Sequence, residues 1–385
     1  MAKRYNFDHE IDRRQTHSYK WDIPNGKLSF SIADTDFEVA DEIKEAIKTR
    51  AEQSTYGYTY VPDEYYGAYI YWWKHRYGLE LKREWFIFST SIVASIDSII
   101  KRVTNVGDGV ALFSPDYNVF YNCIENNKRT IKEVPFFYEN YQYSIDWELL
   151  ENTIKESKMF ILCNPHNPIG KQFDKDELIR ISSLCEKYDV YLLTDEIHSD
   201  LDYNQKRYNP LFKYSNYEKA IMLVSPGKTF NLAGLHSSVI VIRDQNLKTL
   251  IEKGITEDDV GEPSFFSIEP VIAAYTKCED YVNKENDYIL ENKRVLNEFF
   301  LKNGLNLKII GGDATYLLWI DISKYSSDSE AFAKELYKQK GVMVLSGKHY
   351  HEHFSSFIRV NIATQRKNIL QLCESLNNFL NKKEN

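Results

Sequence analysis

Apolar and polar positions alternate along this chain with two different periods. Three short runs are apolar at nearly every position, and each is followed by a turn signal. They are Val110-Ala111-Leu112-Phe113 before Ser114-Pro115, Met159-Phe160-Ile161-Leu162-Cys163 before Asn164-Pro165, and Val190-Tyr191-Leu192-Leu193-Thr194 before Asp195-Glu196. A strand with one wet face alternates, whereas a strand covered on both faces does not, so these runs predict strands of a parallel sheet under helices. Ala220 to Val224 and Ser238 to Ile242 read the same way, and Trp85 to Phe88 reads as a shorter strand. Helical periodicity fills the intervals. Asp41 to Glu52 predicts a charged amphipathic helix, Glu64 to Tyr77 an aromatic-rich helix ended by Gly78, and Ile92 to Thr104 a helix entered through Ser89-Thr90-Ser91. A helix over about Asp174 to Tyr188 joins two of the apolar runs into a βαβ unit.

The last third changes character. A long helix is expected from about Glu269 to Asn303, followed by strands at Leu317 to Ile322 and Ile358 to Ile362 and helices at Ser329 to Lys340 and Lys367 to Leu380. The pattern predicts an α/β protein with a mostly parallel central sheet flanked by helices, and a smaller α+β domain. We expect the large domain over residues 45–280, and the small one over 1–44 together with 281–385.

Composition narrows the function classes. With 385 residues, 43% apolar and 27% charged, the chain is globular in type and long enough for two cores. The formal charge of −8, with no long basic run, argues against a nucleic-acid surface. The five cysteines are widely spaced and form no CxxC pair, which supports neither a disulfide framework nor a zinc ribbon. No apolar run approaches the roughly 20 residues of a membrane span, and the first residues are polar. A cytoplasmic location is expected.

Ligands of open α/β sheets bind beyond the carboxyl ends of the strands. Polar groups cluster at such ends here: Ser89 to Ser91, Asp116-Tyr117, Asn164 to Asn167, Asp195 to His198, and Ser225 to Lys228. Taken singly, each has an ordinary reading, as a helix cap for Asp195, a turn for Asn167-Pro168 or a solvated side chain for Lys228. Their order and spacing carry the argument. The runs Asn164-Pro165-His166-Asn167-Pro168-Ile169-Gly170, Thr194-Asp195-Glu196-Ile197-His198, Ser225-Pro226-Gly227-Lys228-Thr229-Phe230-Asn231 and Arg359-Val360-Asn361-Ile362-Ala363 together resemble the fold-type I enzymes of pyridoxal 5′-phosphate, the aspartate aminotransferase superfamily. The resemblance covers nearly the whole chain.

That resemblance implies a role for each motif residue. Lys228 matches the lysine that binds the cofactor as a Schiff base and then serves as base. Asp195 matches the carboxylate that keeps the pyridine nitrogen protonated and deepens the cofactor's electron sink. Asn167 matches a donor to the phenolate oxygen, and His198 stands where many relatives carry a tyrosine. Tyr117 matches the ring that stacks on the pyridine. Ser91 and Ile92, at a helix start, and Ser225 match phosphate-binding positions. Arg359 matches the arginine that grips the substrate carboxylate, with Tyr117, Asn167 and Ala33 also on the substrate side. Tyr58 matches a tyrosine that reaches the phosphate from a neighbouring subunit, which implies a homodimer with shared sites. Two positions depart from the pattern. Ser89-Thr90-Ser91-Ile92 replaces a Pro-Gly phosphate loop, and His236 stands where many aminotransferases have an arginine, which implies either weaker holding of the cofactor or more reliance on neutral donors to its phosphate.

Within the superfamily the chain is similar to the MalY/PatB type of C–S β-lyase. Tyr5-Asn6-Phe7-Asp8, Ile11-Asp12-Arg13-Arg14, Lys20-Trp21-Asp22 and Ile32-Ala33-Asp34-Thr35-Asp36-Phe37 carry this likeness, as do Asp195 to His198 and Lys228 to Gly234. It implies α,β-elimination on L-cystathionine or L-cysteine-like substrates, giving a thiol, pyruvate and ammonia. The alternatives are a class I/II aminotransferase and a PLP-binding regulatory protein with weak turnover. His349, His351 and His353 would share one face of a strand and could there bind a metal. A substrate-side or surface role is the alternative, and no metal is expected.

Overall fold

A computed structural model describes residues 5–203 and 208–381. Seven strands form the central sheet: β1 (Phe86–Ser89), β2 (Gly109–Ser114), β3 (Thr130–Pro135), β4 (Met159–Cys163), β5 (Tyr191–Asp195), β6 (Ala220–Val224) and β7 (Ser238–Ile242). Their order is β1-β7-β6-β5-β4-β2-β3. All neighbours from β6 to β3 pair parallel, and β7 runs antiparallel to both β6 and β1. The runs that are apolar at every position occupy its middle, and β2, β4 and β6 are buried along their whole length. Alternate residues feed two separate cores. Phe113, Phe160, Leu162, Leu192 and Met222 pack on one face, and Leu112, Ile161, Leu193, Ile221 and Ile240 on the other. Thr130–Pro135, an edge strand, is only partly buried, and its mixed sequence carried no strand signal.

Four predicted helices of the large unit form with boundaries shifted by a residue or two: α1 (Asp41–Ala51), α2 (Asp63–Tyr77), α3 (Ile92–Val103) and α5 (Lys175–Lys187), while α4 (Asn118–Asn126) was not expected from the sequence. Helix α2 buries Tyr65, Tyr66, Tyr69, Trp72 and Trp73, and Gly78 ends it at a φ of 63°, a left-handed turn that glycine adopts without a Cβ penalty. Asp174 and Glu177 close a capping box at the start of α5.

The expected single helix from Glu269 to Asn303 is two helices, α6 (Glu269–Lys277) and α7 (Glu279–Lys302). Cys278, at φ −113° and ψ 24°, leaves helical geometry between them, and its buried side chain anchors the break. The apolar spacing continues across the junction, so the sequence pattern hides it. Beyond α7, a four-stranded antiparallel sheet forms from β8 (Lys308–Ile310), β9 (Leu317–Asp321), β10 (Leu345–Ser346) and β11 (Phe357–Asn361), in the order β8-β9-β11-β10. Leu28–Ser29 pairs with Val342–Met343 and ties the N-terminal segment to this part of the chain.

His349, His351 and His353 do not lie on a strand. Gly347–His349 and Glu352–Phe354 are single 3₁₀ turns. Gly347 causes the fold-back, since a Cβ there would stand 2.1 Å from the Phe354 carbonyl oxygen. The His351 and His353 rings lie tilted at 31° with centroids 4.5 Å apart, and His351 faces Glu133 at 3.9 Å. His349 turns to Tyr350 instead. Among the described residues no helix is long and apolar enough to cross a membrane.

Candidate active site

A pocket of about 160 Å³ opens beyond the carboxyl ends of β4, β5 and β6. Ala33, Thr90, Ser91, Tyr117, Asn167, Asp195 and His198 line it with Ser225 and Lys228. The parallel strands deliver several of these because each ends at the same rim. Asp195 is the last residue of β5, Ser225 follows β6, and Asn167 sits in the turn after β4.

Lys228 Nζ donates to the Ala33 carbonyl oxygen at 2.6 Å. Burial and then the Arg359 charge pull the amine down to about 8, while Asp34 and Asp195 oppose them. An amine at that level has a substantial neutral fraction near physiological pH, as a nucleophile or base requires. Asp195 is 4% exposed, and its Oδ1 accepts the Ile197 N–H at 3.1 Å. Burial raises its carboxyl to about 7, with Lys228 pulling the other way. Burial, followed by Lys228 and Arg359, holds His198 neutral at about 3, and its Nδ1 has no hydrogen-bond partner.

Behind Cys163, which lines the pocket, polar side chains are buried. Asp116, Cys163 and His166 bring their ligand atoms within 4.8 Å of one another, all buried. Burial keeps the Asp116 carboxyl well above its usual range and lowers His166 to about 4. His166 Nε2 faces the Pro115 carbonyl at 2.7 Å.

Ser91 caps α3, its hydroxyl oxygen accepting the Ala94 N–H at 3.1 Å. The first-turn amides of Ile92 and Val93 have no acceptor within the helix and sit at its positive end, so this rim suits an anion. Ser225 donates to the Ser237 carbonyl at 2.8 Å and accepts the Gly227 N–H at 3.1 Å. Thr90 and Ser237 add hydroxyls that the motifs did not single out. His236 is exposed and does not line the pocket.

Arg359, on β11, approaches from the small sheet. It is 4% exposed; Nη2 donates to the Ser31 carbonyl, Nη1 lies 3.5 Å from Asn167 Oδ1, and Nε is unpartnered. A buried guanidinium with a vacant donor calls for an anion. Asn361, two residues on, donates to the Ile32 and Asp34 carbonyls at 2.6 and 2.7 Å. Asn231 exchanges two bonds with the Thr35 backbone at 3.2 and 3.1 Å. The segment around Ala33 is therefore fixed from both sides.

The N-terminal motif residues explain themselves in the same place. Lys20 reaches Asp36 at 3.1 Å, Trp21 Nε1 donates to Asp36 at 2.6 Å, and Arg13 reaches Asp34 at 2.6 Å. They clamp the strip that carries Ala33. Tyr58, by contrast, is fully exposed and lies outside the pocket of its own chain.

The Asp195 environment has a consequence for stability. Folding lifts its carboxyl from 3.8 to about 7, so between these values the unfolded chain loses a proton that the folded chain keeps, and stability falls as pH rises. Asp195→Asn has no such proton. The variant's stability relative to the parent, both without added ligand, should therefore improve from pH 4.5 to 7, by on the order of a few kcal/mol. Thermal or denaturant unfolding at the two pH values measures it, and a constant difference would contradict the buried-acid assignment.

The sequence model of the family described as aminotransferase class I and II matches residues 25–376. Cystathionine β-lyase PatB of Bacillus subtilis (strain 168) is 30% identical over 366 residues, covering 92% of this chain and 95% of that protein. Cystalysin from Treponema denticola, whose crystal structure contains pyridoxal 5′-phosphate, superposes with a TM-score of 0.95 at 28% identity, covering 99% of this chain and all of the other. The pyridoxal-phosphate-bound C–S lyase of Staphylococcus hominis gives a TM-score of 0.92 at 29% identity, covering 98% and 99% of the two chains.

Proposed function

This chain belongs to the aminotransferase class I and II family, and on that footing we propose that it is a pyridoxal 5′-phosphate-dependent C–S β-lyase acting on L-cystathionine or L-cysteine-like amino acids. One observation carries the reading. A half-buried lysine, its amine held at about 8, shares a pocket with a buried carboxyl, Asp195, and an anion-seeking arginine, Arg359, contacts Asn167 of the pocket lining. The choice of elimination is supported by likeness to PatB and to the C–S lyases, and by the clamp of Arg13, Lys20 and Trp21 on Asp34 and Asp36.

The lining suits the cofactor. An unpartnered His198 Nδ1, a carboxyl raised by burial and the hydroxyl of Ser91 at a helix start would serve a phenolate oxygen, a ring nitrogen and a phosphate in turn. Lys228 would hold it, with Tyr117 against the ring, Asn167 and His198 at the phenolate oxygen, Asp195 at the nitrogen, and Ser91, Ile92 and Ser225 at the phosphate. Bound there, pyridoxal phosphate supplies an electron sink for the substrate's α-carbon. Arg359, with Ala33, Tyr117 and Asn167, orients the amino acid by its carboxylate. Lys228 Nζ takes the Cα proton, the Cβ–S bond breaks, and the sulfur leaves as a thiolate. The same amine returns a proton, and hydrolysis of the three-carbon remainder gives pyruvate and ammonia.

The larger unit, residues 45–280, would bind the cofactor, and residues 1–44 with 281–385 would form the smaller one. The positions of the two sheets and the pairing of Leu28–Ser29 with Val342–Met343 support this division. A homodimer in the cytoplasm completes the proposal. Tyr56, Tyr58 and Tyr60 are all exposed on one extended segment, and Tyr58 would contribute to the partner's phosphate site.

The test supplies L-cystathionine to cofactor-loaded protein with and without a keto acid. Pyruvate formed without the keto acid supports the lyase. Turnover only in its presence would make the protein an aminotransferase, and no turnover under either condition would favour a regulatory binder. Arg359→Ala should lower kcat/KM by about ten- to a hundredfold, mostly through KM, because it removes a charged hydrogen-bonded pair worth about 1.5–3 kcal/mol. Unchanged kinetics would take Arg359 away from the substrate carboxylate.

A further inference from the structure

The Ala33 carbonyl oxygen that receives Lys228 receives a second donor. Tyr316, fully buried just before β9, places its hydroxyl 3.1 Å from that oxygen, in addition to the 2.6 Å contact of Lys228 Nζ. A carbonyl oxygen has two lone pairs and can accept both. None of the sequence motifs includes Tyr316.

The backbone that presents this phenol is strained. Thr315 has a φ of +64°, a left-handed conformation that a β-branched residue rarely adopts. Such an outlier persists only where its surroundings fix it. Here the Thr315 N–H donates to the Leu201 carbonyl at 2.8 Å, the Tyr203 hydroxyl donates to the Thr315 carbonyl, and Ala314 bridges to Asp202. On the far side, Ile362 N–H donates to the Tyr316 carbonyl at 2.8 Å. The chain segment that runs on from Asp195 and His198 therefore braces Tyr316, and the His198 ring stands edge-on to it with centroids 6.5 Å apart.

We propose that Tyr316 is a positioning residue for Lys228: its hydroxyl and the Ala33 carbonyl form a seat that holds the lysine amine in place whenever the amine is not bonded to the cofactor. The proposal rests on the reading of Lys228 as the cofactor-binding base. It gives the phenol a definite chemical effect. By occupying one lone pair of Ala33, it makes that oxygen a weaker acceptor for an ammonium group, and so favours the neutral amine. The other groups that face the seat are Arg359, Asp34, Asp195 and His198 around Lys228, and Asp34, Glu285, Arg359, Tyr203 and His198 around Tyr316. All of them remain when only the phenol oxygen is removed.

Tyr316→Phe tests this with a readout that needs no turnover. The rate at which cofactor-stripped protein takes up pyridoxal phosphate, followed by visible absorbance across pH, reports the neutral Lys228 amine. Its midpoint should move up by roughly 0.5–1 unit, the shift one neutral hydrogen bond can produce. In turnover, kcat at pH 7 should fall about three- to tenfold and recover toward pH 9, with KM little changed. An unmoved uptake midpoint, or a loss of kcat equal at all pH values, would overturn the proposal. If parent protein takes up cofactor but forms no pyruvate, the lyase reading fails while the uptake midpoint still decides the role of Tyr316. Should the phenylalanine variant not fold, Tyr203→Phe keeps the Tyr316 phenol and removes the hydroxyl that holds the Thr315 carbonyl. It should move the midpoint in the same direction, and no movement there would count against the seat.

Discussion

Lys228→Ala is expected to abolish pyruvate formation from L-cystathionine, with a loss of at least about 10²–10⁴-fold, the usual contribution of a positioned acid–base group. Two roles vanish together in this variant. On the proposed reading the amine would tether the cofactor covalently and would take and return the Cα proton. Its surroundings fit both. Burial and Arg359 favour the neutral form, while the bond to Ala33 fixes where the amine waits. The structural cost of the change is small, because Lys228 makes its hydrogen bond to a backbone oxygen that Tyr316 can still occupy. The variant should therefore fold, and a small external amine should restore part of the activity. Stopped assays of pyruvate and ammonia measure it. Activity within a few-fold of the parent would remove Lys228 from the chemistry.

Asp195→Asn should lower kcat by about 10²–10³-fold, the range found when a preorganised charge is removed from an active site. The ligand-free pocket leaves this carboxyl near neutrality, at about 7, because burial disfavours its charge. A protonated ring nitrogen of the cofactor, held by Asp195 as proposed, would reverse that balance and restore the carboxylate, since a nearby opposite charge favours the ionised form. The asparagine amide can hydrogen-bond but carries no charge, so it cannot hold the proton on that nitrogen. Cofactor should still attach through Lys228, which separates this effect from failure to bind. Measured kcat alongside cofactor content distinguishes the two. Full kcat with full cofactor content would show that Asp195 does not face the ring nitrogen.

The fold was legible where burial is uniform. The runs ending at Cys163, Thr194 and Val224 are apolar throughout because both sheet faces are covered, and the polar residues after them mark the rim where the pocket lies. Lys228, Asp195, Asn167, Tyr117, His198, Ser91 and Ser225 meet there, as their positions at strand ends predicted. Arg359 arrives from a different sheet, and only the family resemblance pointed to it.

What the sequence hid depends on contacts between distant positions. Tyr316 is one of 28 tyrosines, and its meaning comes from Ala33, 283 residues away. The break at Cys278 leaves the helical period intact on both sides, so no pattern announces it. The three histidines alternate as a strand would, yet close packing at Gly347 folds them into turns. The N-terminal motif was recognisable as a string of residues, but its purpose appeared only with the clamp on Asp34 and Asp36.

Borohydride reduction of the cofactor-loaded protein, followed by peptide mapping, tests the central claim most directly. The account predicts a reduced phosphopyridoxyl group on Lys228 and on no other lysine. A label elsewhere, or none after saturating cofactor, would contradict it.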